Sequence, residues 1–380
     1  MPAFNKEIVT IARCNRYDPG EVRTALEKIF SPYGGITSLI GSDKKVLLKP
    51  NLLAAASPVE NVTTHPTIVK VITEMFQEAG NRVYIGDSPG FDAQEKAHRK
   101  SGLEEVIKAT NAEALYFSNP VYKKIAGFKL KEIPLAPELD QVDLVVNLAK
   151  LKTHSLTGMT AAVKNIYGCV PGTIKARFHF EYPLPKDFSK VLLDVYFAVR
   201  PVFSIIDAIV AMEGAGPRKG RPRQVGLLMG ASCAVALDLV AATVIGFSPE
   251  QVSTLAAAKE LNLKGTDINE ITIKGLRLKD CQVKNFDRGP ASSGHLSRML
   301  ALFPFARLKD FIAARRPYPC IKTASCSGCR ACYEACPAQA VDLKGMIPDI
   351  DEKKCIRCYC CQEFCNQGAI DFTKRTRKSI

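Results

Sequence analysis

The chain has 380 residues, 47% of them hydrophobic and 24% charged, with a formal net charge of +14. That length and apolar content exclude a disordered or fibrous chain and allow one large or two smaller domains with buried cores. The basic balance suits anionic substrates or acidic redox proteins, and without a nucleic-acid motif or aromatic-basic interleaving, nucleic acid is not expected as a partner.

The opening "MPAFNKEIVTIARC" lacks a basic start followed by an apolar run, so the reading is a cytoplasmic chain without an export signal. "KKVLLKPNLL" (44–53) predicts a strand. "THPTIVKVITEMFQEAG" (64–80) predicts a helix, with Thr64 as cap, Pro66 in the first turn and Gly80 as stop. Further strands are expected at 82–87, 142–150, 203–212, 225–231 and 271–278. The long apolar stretch from Val225 to Phe247 is interrupted by Asp238, so a buried strand followed by a helix is expected there and not a membrane span. Continuous Val/Ile/Leu strands alternating with helices define the expected fold class, an α/β protein with a mostly parallel, doubly covered sheet. Residues 1–288 are assigned to it.

In such sheets ligands bind beyond the carboxyl ends of the strands. Lys49 and Asn51 follow the first predicted strand, and Asp87 and Ser88 follow the second within Gly86-Asp87-Ser88-Pro89-Gly90. After 142–147 come Lys150, Lys152, His154, Lys164, Asn165, Lys175 and His179, and after 203–212 comes Glu213 in "EGAGPRKG". Their chemistry divides them. His154, Asp87 and Lys152 are candidate catalytic groups, His154 or Asp87 moving protons. Lys49, Asn51, Ser88, Lys150, Lys164, Asn165 and Glu213 are candidates for binding a small anionic substrate. Each has a plainer reading: the Gly-Asp-Ser-Pro-Gly run as a turn, "EGAGPRKG" as a surface loop, a lone histidine as core. Asp238, in an Ala/Val-rich helix, needs a partner, a lysine or a helix end.

Residues 289–319 read as a basic amphipathic linker that packs the two halves together, with peripheral membrane contact the minority reading. Beyond it, ten of the fourteen cysteines lie between Cys320 and Cys365. "CSGCRACYEACP" (326–337) and "CIRCYCCQEFCN" (355–366) superpose at an offset of 29 residues (326 to 355), each reading C-x2-C-x2-C-x3-C. That spacing wraps one face of an iron–sulfur cube with three thiolates and draws the fourth from the other copy. The assignment is Cys326, Cys329, Cys332 and Cys365 for one [4Fe–4S] cluster and Cys355, Cys358, Cys361 and Cys336 for the other. Structural zinc, which prefers two separated C-x2-C knuckles, would leave the third cysteine of each loop without a use. Cys320 and Cys360 are unassigned, and Asn366 stands where the first copy has Pro337. Residues 320–374 thus resemble a bacterial two-[4Fe–4S] ferredoxin, followed by a basic tail, 375–380.

"KPNLL", "TTHP", "GDSPG", "NLAKLKTHSLTGMTAAVKNIYG", "PGTIKARFH", "IIDAIVAMEGAGPRKGRP" and "ALDLVAATVIG" resemble, over roughly residues 6–280, the family catalogued as domain of unknown function 362. The resemblance implies an iron–sulfur protein of anaerobic-type metabolism, many of whose relatives carry a ferredoxin-like tail. The Lys/His-rich loop leading to "VPG" is faintly similar to the lactate racemase family, implying a small anionic substrate. The expected function is a ferredoxin-linked oxidoreductase, fed by a redox partner protein, that passes electrons through two clusters to that substrate. Three alternatives stay open: an electron carrier or adaptor docking a partner enzyme, a non-redox enzyme with structural clusters, and a factor that matures a cofactor or metal centre.

Overall fold

The computed structural model describes residues 6–289 except 91 and 173, and residues 317–373 except 344 and 366. The strands are β1 Glu7–Arg13, β2 Lys45–Lys49, β3 Arg82–Ile85, β4 Glu113–Ala114, β5 Val121–Lys124, β6 Glu132–Leu135, β7 Leu144–His154, β8 Gly158–Thr160, β9 Phe203–Glu213, β10 Arg221–Ala231 and β11 Ile271–Gly275. All but β5 and β6 form one nine-stranded sheet in the order β11-β1-β10-β9-β7-β2-β3-β4, with β8 folded back on β7. Neighbours run parallel except β10 against β1 and β9, and β8 against β7. The central sheet is therefore mostly parallel, within a mixed α/β body.

Both faces carry a core, which is why β7 and β9 read as unbroken apolar runs rather than alternating ones. The helices Pro19–Phe30, Pro66–Glu78 and Leu103–Thr110 pack one face through residues such as Leu26, Phe30, Ile72 and Phe76. Pro185–Val199 and Ala234–Val244 pack the other through Leu192, Val195, Leu237 and Val240. Each such side chain taken fully out of water contributes about 1.5–3 kcal/mol before the entropy of ordering is subtracted. The apolar stretch from Val225 resolves into the end of β10 and the helix Ala234–Val244. Among the described residues no helix is long and apolar enough to cross a membrane.

Local chemistry sets the ends of the elements. The helix at 66–78 starts with Pro66 in its first turn, but its cap is His65, whose Nδ1 accepts from Thr67 N at 3.2 Å. Thr64, the expected cap, instead donates its hydroxyl to Leu148 O at 2.7 Å and ties this entry loop to β7. "EGAGPRKG" is the connection of the β9–β10 hairpin.

The cysteine-rich segment forms β12 Tyr318–Ile321, β13 Val341–Asp342, β14 Asp349–Ile350 and β15 Ile370–Thr373, pairing antiparallel as β12–β15 and β13–β14. At the same 29-residue offset β13 maps onto β15 and the helix Ala331–Glu334 onto Cys360–Phe364. Arg330 and Tyr359, which precede these helices, both take positive φ, 62° and 66°. Ala340 N and Ala369 N each donate to a cysteine Sγ, of Cys336 and Cys365, at 3.2 Å. The sequence repeat is thus a repeat in three dimensions. The expected linker, 289–319, lies mainly outside the described residues, and the basic tail, 375–380, lies wholly outside them.

Candidate functional site

A cavity of about 620 Å³, partly open to solvent, lies at the carboxyl ends of β2, β3 and β7, where the helix Cys360–Phe364 closes over them. Its wall includes Asn51, Asp87, Ser88, Lys152, His154, Lys164 and Asn165, so two polar loops, one strand and the short helix Ala162–Asn165 meet there. Lys152 and His154 belong to the strand itself. β7 runs on to His154, past the expected end at residue 150, because the β8 hairpin gives its last residues a partner.

The helix Cys360–Phe364 is docked by specific contacts. Gln362 Oε1 accepts from Ser155 Oγ at 2.8 Å, and its Nε2 donates to Ala215 O at 3.1 Å. Phe364 packs on Gly90 so closely that a Cβ there would lie 2.0 Å from its ring. Glu363 Oε1 comes within 2.8 Å of His154 Nε2 inside the cavity. His154 Nδ1 accepts from Leu156 N at 3.0 Å, so in the neutral ring the proton sits on Nε2, which is close to Glu363 but not aligned for a hydrogen bond with it.

Burial dominates the electrostatics. It pushes the His154 imidazole down to about 4, helped by the Lys164 charge, and His179 down to about 3. Burial alone would raise the Glu363 carboxyl, but His154, Lys164 and His179 together outweigh it and hold it below the usual range. Lys164 is lowered by burial against the opposing pull of Glu363, and its Nζ stands 5.8 Å over the Tyr167 ring. Lys152 is pushed well down by burial and by the nearby lysines. Lys175, lowered to about 8 by burial, donates to Ser88 Oγ and Pro89 O, each at 3.1 Å.

Three expected site residues lie elsewhere. Lys150 is turned to Asp207, 2.8 Å from Oδ2, and to Tyr17 Oη, because the register of β7 on β9 shifts between Lys150 and Lys152. Glu213 accepts from Asp287 N at 3.0 Å and faces Arg221, away from the cavity. Lys49 sits behind the wall, its Nζ 2.7 Å from Asp87 Oδ1. Asp87 does line the cavity, and both of its oxygens are occupied, by Lys49, Ser88 N and Leu52 N. Lys175 and His179 were legible only as members of a polar loop, and Tyr167 not at all. Glu363 carried no signal, because nothing in one sequence says that the second cysteine loop folds back onto β7.

Asp238 finds the helix-end partner its burial demands: its oxygens accept from Ala162 N at 2.6 Å and Val163 N at 3.1 Å. It thereby anchors the short helix Ala162–Asn165 that carries Lys164.

Cys326, Cys329, Cys332 and Cys365 line a separate cavity of about 320 Å³. Cys361 is raised by burial and then by the nearby Cys358, Cys355, Cys336 and Cys332. Among the described residues no three Cys, His, Asp or Glu side chains converge on a single metal-ion position. Thiols are the donors that iron–sulfur clusters take, and this unit carries them in the repeated C-x2-C-x2-C-x3-C spacing. Cys320 has its Sγ on Asp371 O, and the buried Cys360 lies beside Cys358 and Cys361 and close enough to Tyr167 and Lys164 to act on them.

Fold and site together define an α/β protein with a lysine- and histidine-lined cavity, closed by a duplicated cysteine-rich unit. The chain belongs to the family described as Domain of unknown function (DUF362), whose model matches residues 46–243. It is 34% identical over 259 residues to "Thylakoid-associated protein sll1697" of Synechocystis sp., an alignment covering 68% of this chain and 80% of that one. Among solved structures it is similar to the lactate racemase apoprotein of Thermoanaerobacterium thermosaccharolyticum, at TM-score 0.40 and 14% identity, covering 62% of this chain and 56% of that one. A structural-genomics protein from Thermotoga maritima matches at TM-score 0.38 and 13% identity, covering 57% of this chain and 56% of that one. The chain thus spans little more than half the length of the solved structures it matches.

Proposed function

We propose that the protein is an iron–sulfur oxidoreductase that delivers electrons to a small anionic substrate in the cavity between the α/β body and the cysteine-rich unit. The observation that carries this reading is the helix Cys360–Phe364. It contributes Cys361 to one thiol group, and Glu363 and Phe364 to the cavity wall. Any cluster held by Cys361 would therefore be separated from bound substrate by a single turn of helix.

In this reading a ferredoxin-like unit takes one cluster on Cys326, Cys329, Cys332 and Cys365, and another on Cys355, Cys358, Cys361 and Cys336. Clusters there would supply electrons one at a time. Lys164 makes no hydrogen bond or ion pair among the described residues and would hold the anionic group. His154, with its Nε2–H directed into the cavity by two backbone N–H groups on Nδ1, would donate a hydrogen bond to the negative charge that develops on the reduced substrate, and Glu363 would orient it. The docked helix limits water around these groups, which strengthens each charge interaction.

A second reading, an electron carrier or adaptor for a partner enzyme, is favoured by the thylakoid association in the relative's name. Anaerobic purification with iron and sulfide analysis, spin-resonance spectra and stopped-flow reoxidation by small carboxylates separates the two. Cluster signals with substrate-dependent reoxidation are expected. Zinc in place of iron and sulfide would end both readings, and clusters that no carboxylate reoxidises, in a chain that captures a redox enzyme, would favour the adaptor.

A further inference from the structure

Lys152 differs from every other lysine near the cavity. Lys49 and Lys150 each face a carboxylate, Asp87 at 2.7 Å and Asp207 at 2.8 Å, and Lys175 donates to three oxygens. Lys152 is fully buried, lies on the cavity wall, and has no carboxylate within ion-pair distance among the described residues. Its Nζ donates to Asn51 Oδ1 and to Val62 O, both at 2.7 Å, with no third acceptor among the described residues. Asn51 is not free to turn: its Nδ2 donates to Asn165 Oδ1, Asn165 Nδ2 to Asn147 Oδ1, and Asn147 Nδ2 to Ala162 O. This amide chain keeps Asn51 Oδ1 pointed at Lys152.

Two fixed acceptors use both hydrogens of a neutral amine and leave its lone pair unused. An ammonium in the same place would bury a third donor and a full charge without a counterion, at a cost of several kcal/mol. Burial and the fields of Lys164 and Lys150 act the same way, against a smaller pull from Glu363 and Asp87. A desolvated amine beside other cations is the arrangement that makes lysine a nucleophile toward carbonyl groups.

We propose that Lys152 captures the carbonyl carbon of a small oxo acid as an imine, while Lys164 holds the acid's anionic group. The C–N bond forms as the C=O bond breaks, and the oxygen leaves as water with the two amine hydrogens, so the step needs no oxidant or reductant. A proton taken up from solvent onto the imine nitrogen restores one N–H for Asn51 Oδ1. The inference rests on the cavity being the substrate site, as proposed above, and not on the cysteines holding iron.

The test treats the full-length protein with pyruvate and sodium cyanoborohydride at neutral pH, followed by intact mass and peptide mapping. One adduct per chain is expected, with the mass of pyruvate less one water plus two hydrogens, on the peptide containing Lys152. Lys152→Met should lose it, and Lys164→Met should slow it about tenfold, the loss of one charge-assisted contact. Mapping is done on the unaltered chain, so a misfolded variant does not decide the outcome. Adducts spread over exposed lysines, or no adduct with pyruvate, glyoxylate or 2-oxoglutarate, would overturn the proposal. Equal trapping of neutral acetone would overturn the role of Lys164. Trapping at Lys152 in a chain that binds no clusters would uphold the imine site and end the electron-transfer reading.

Discussion

His154 Nε2 and Glu363 Oε1 lie 2.8 Å apart, joining the last residue of a core strand to the middle of the second cysteine loop. Both side chains are almost fully buried, and Lys164 supplies the nearby positive charge. Removing one member of a buried charged set costs about 3–5 kcal/mol, because the rest is left uncompensated. Glu363→Ala should therefore lower stability in a urea titration by several kcal/mol, whereas Glu363→Gln, which keeps the shape and one acceptor, should lose less. Equal midpoints for all three proteins would mean that the contact does not hold the two units together.

Cys361 and Cys360 are neighbours with different tasks in the proposed register. Cys360 occupies the place of Ala331 in the first copy. After anaerobic purification Cys361→Ala should lose about half the bound iron and sulfide, as one of two clusters goes. Cys360→Ala should retain both complements. Iron loss in Cys360→Ala would show that the register is wrong.

Acid should destabilise the fold over a defined window. Burial holds His154 and His65 down at about 4 and His179 at about 3, against an ordinary value of 6.5. The unfolded chain takes up these protons first, so stability falls as pH drops from about 6.5 toward 4, and His154 alone accounts for about 3 kcal/mol. Asp238, pushed up to about 7 by burial, acts in the opposite direction: the folded chain holds its proton while the unfolded chain has lost it. Asp238→Asn, which removes this compensating uptake, should therefore lose stability more steeply on acidification. Urea midpoints at pH 7.5, 6 and 5 check both signs, and an acid-independent midpoint would contradict the burial of the histidines.

Lys150 and Lys164 should separate stability from binding. Lys150→Met leaves Asp207 buried without its cation and should cost about 3–5 kcal/mol, with little change in anion affinity. Lys164→Met breaks no ion pair among the described residues and should weaken anion binding about tenfold. Calorimetric titration of both variants with a small carboxylate, beside their urea midpoints, reads the two effects. The reverse pattern would move the anion site to the Tyr17–Asp207 cluster.

The α/β class, the six expected strands, the helix at 64–80 and the duplicated cysteine loops were legible in one dimension, because apolar period and cysteine spacing are local properties. Asn51, Ser88, Lys152, His154, Lys164 and Asn165 were found by looking past strand ends, where this topology gathers polar groups. Lys150 and Lys152 show the limit of that method. Two positions apart on one strand, they were read as equivalent, yet a register shift against β9 sends one to Asp207 and the other to Asn51.

Sequence by itself determined which segments form the main strands, which positions are apolar and where eight cysteines recur, since these follow from periodicity and spacing along the chain. Tertiary structure alone decided that Glu363 meets His154 and that Lys152 has two acceptors and no counterion. Partners and desolvation belong to the space between segments distant in the chain, and that space exists only once the chain has folded.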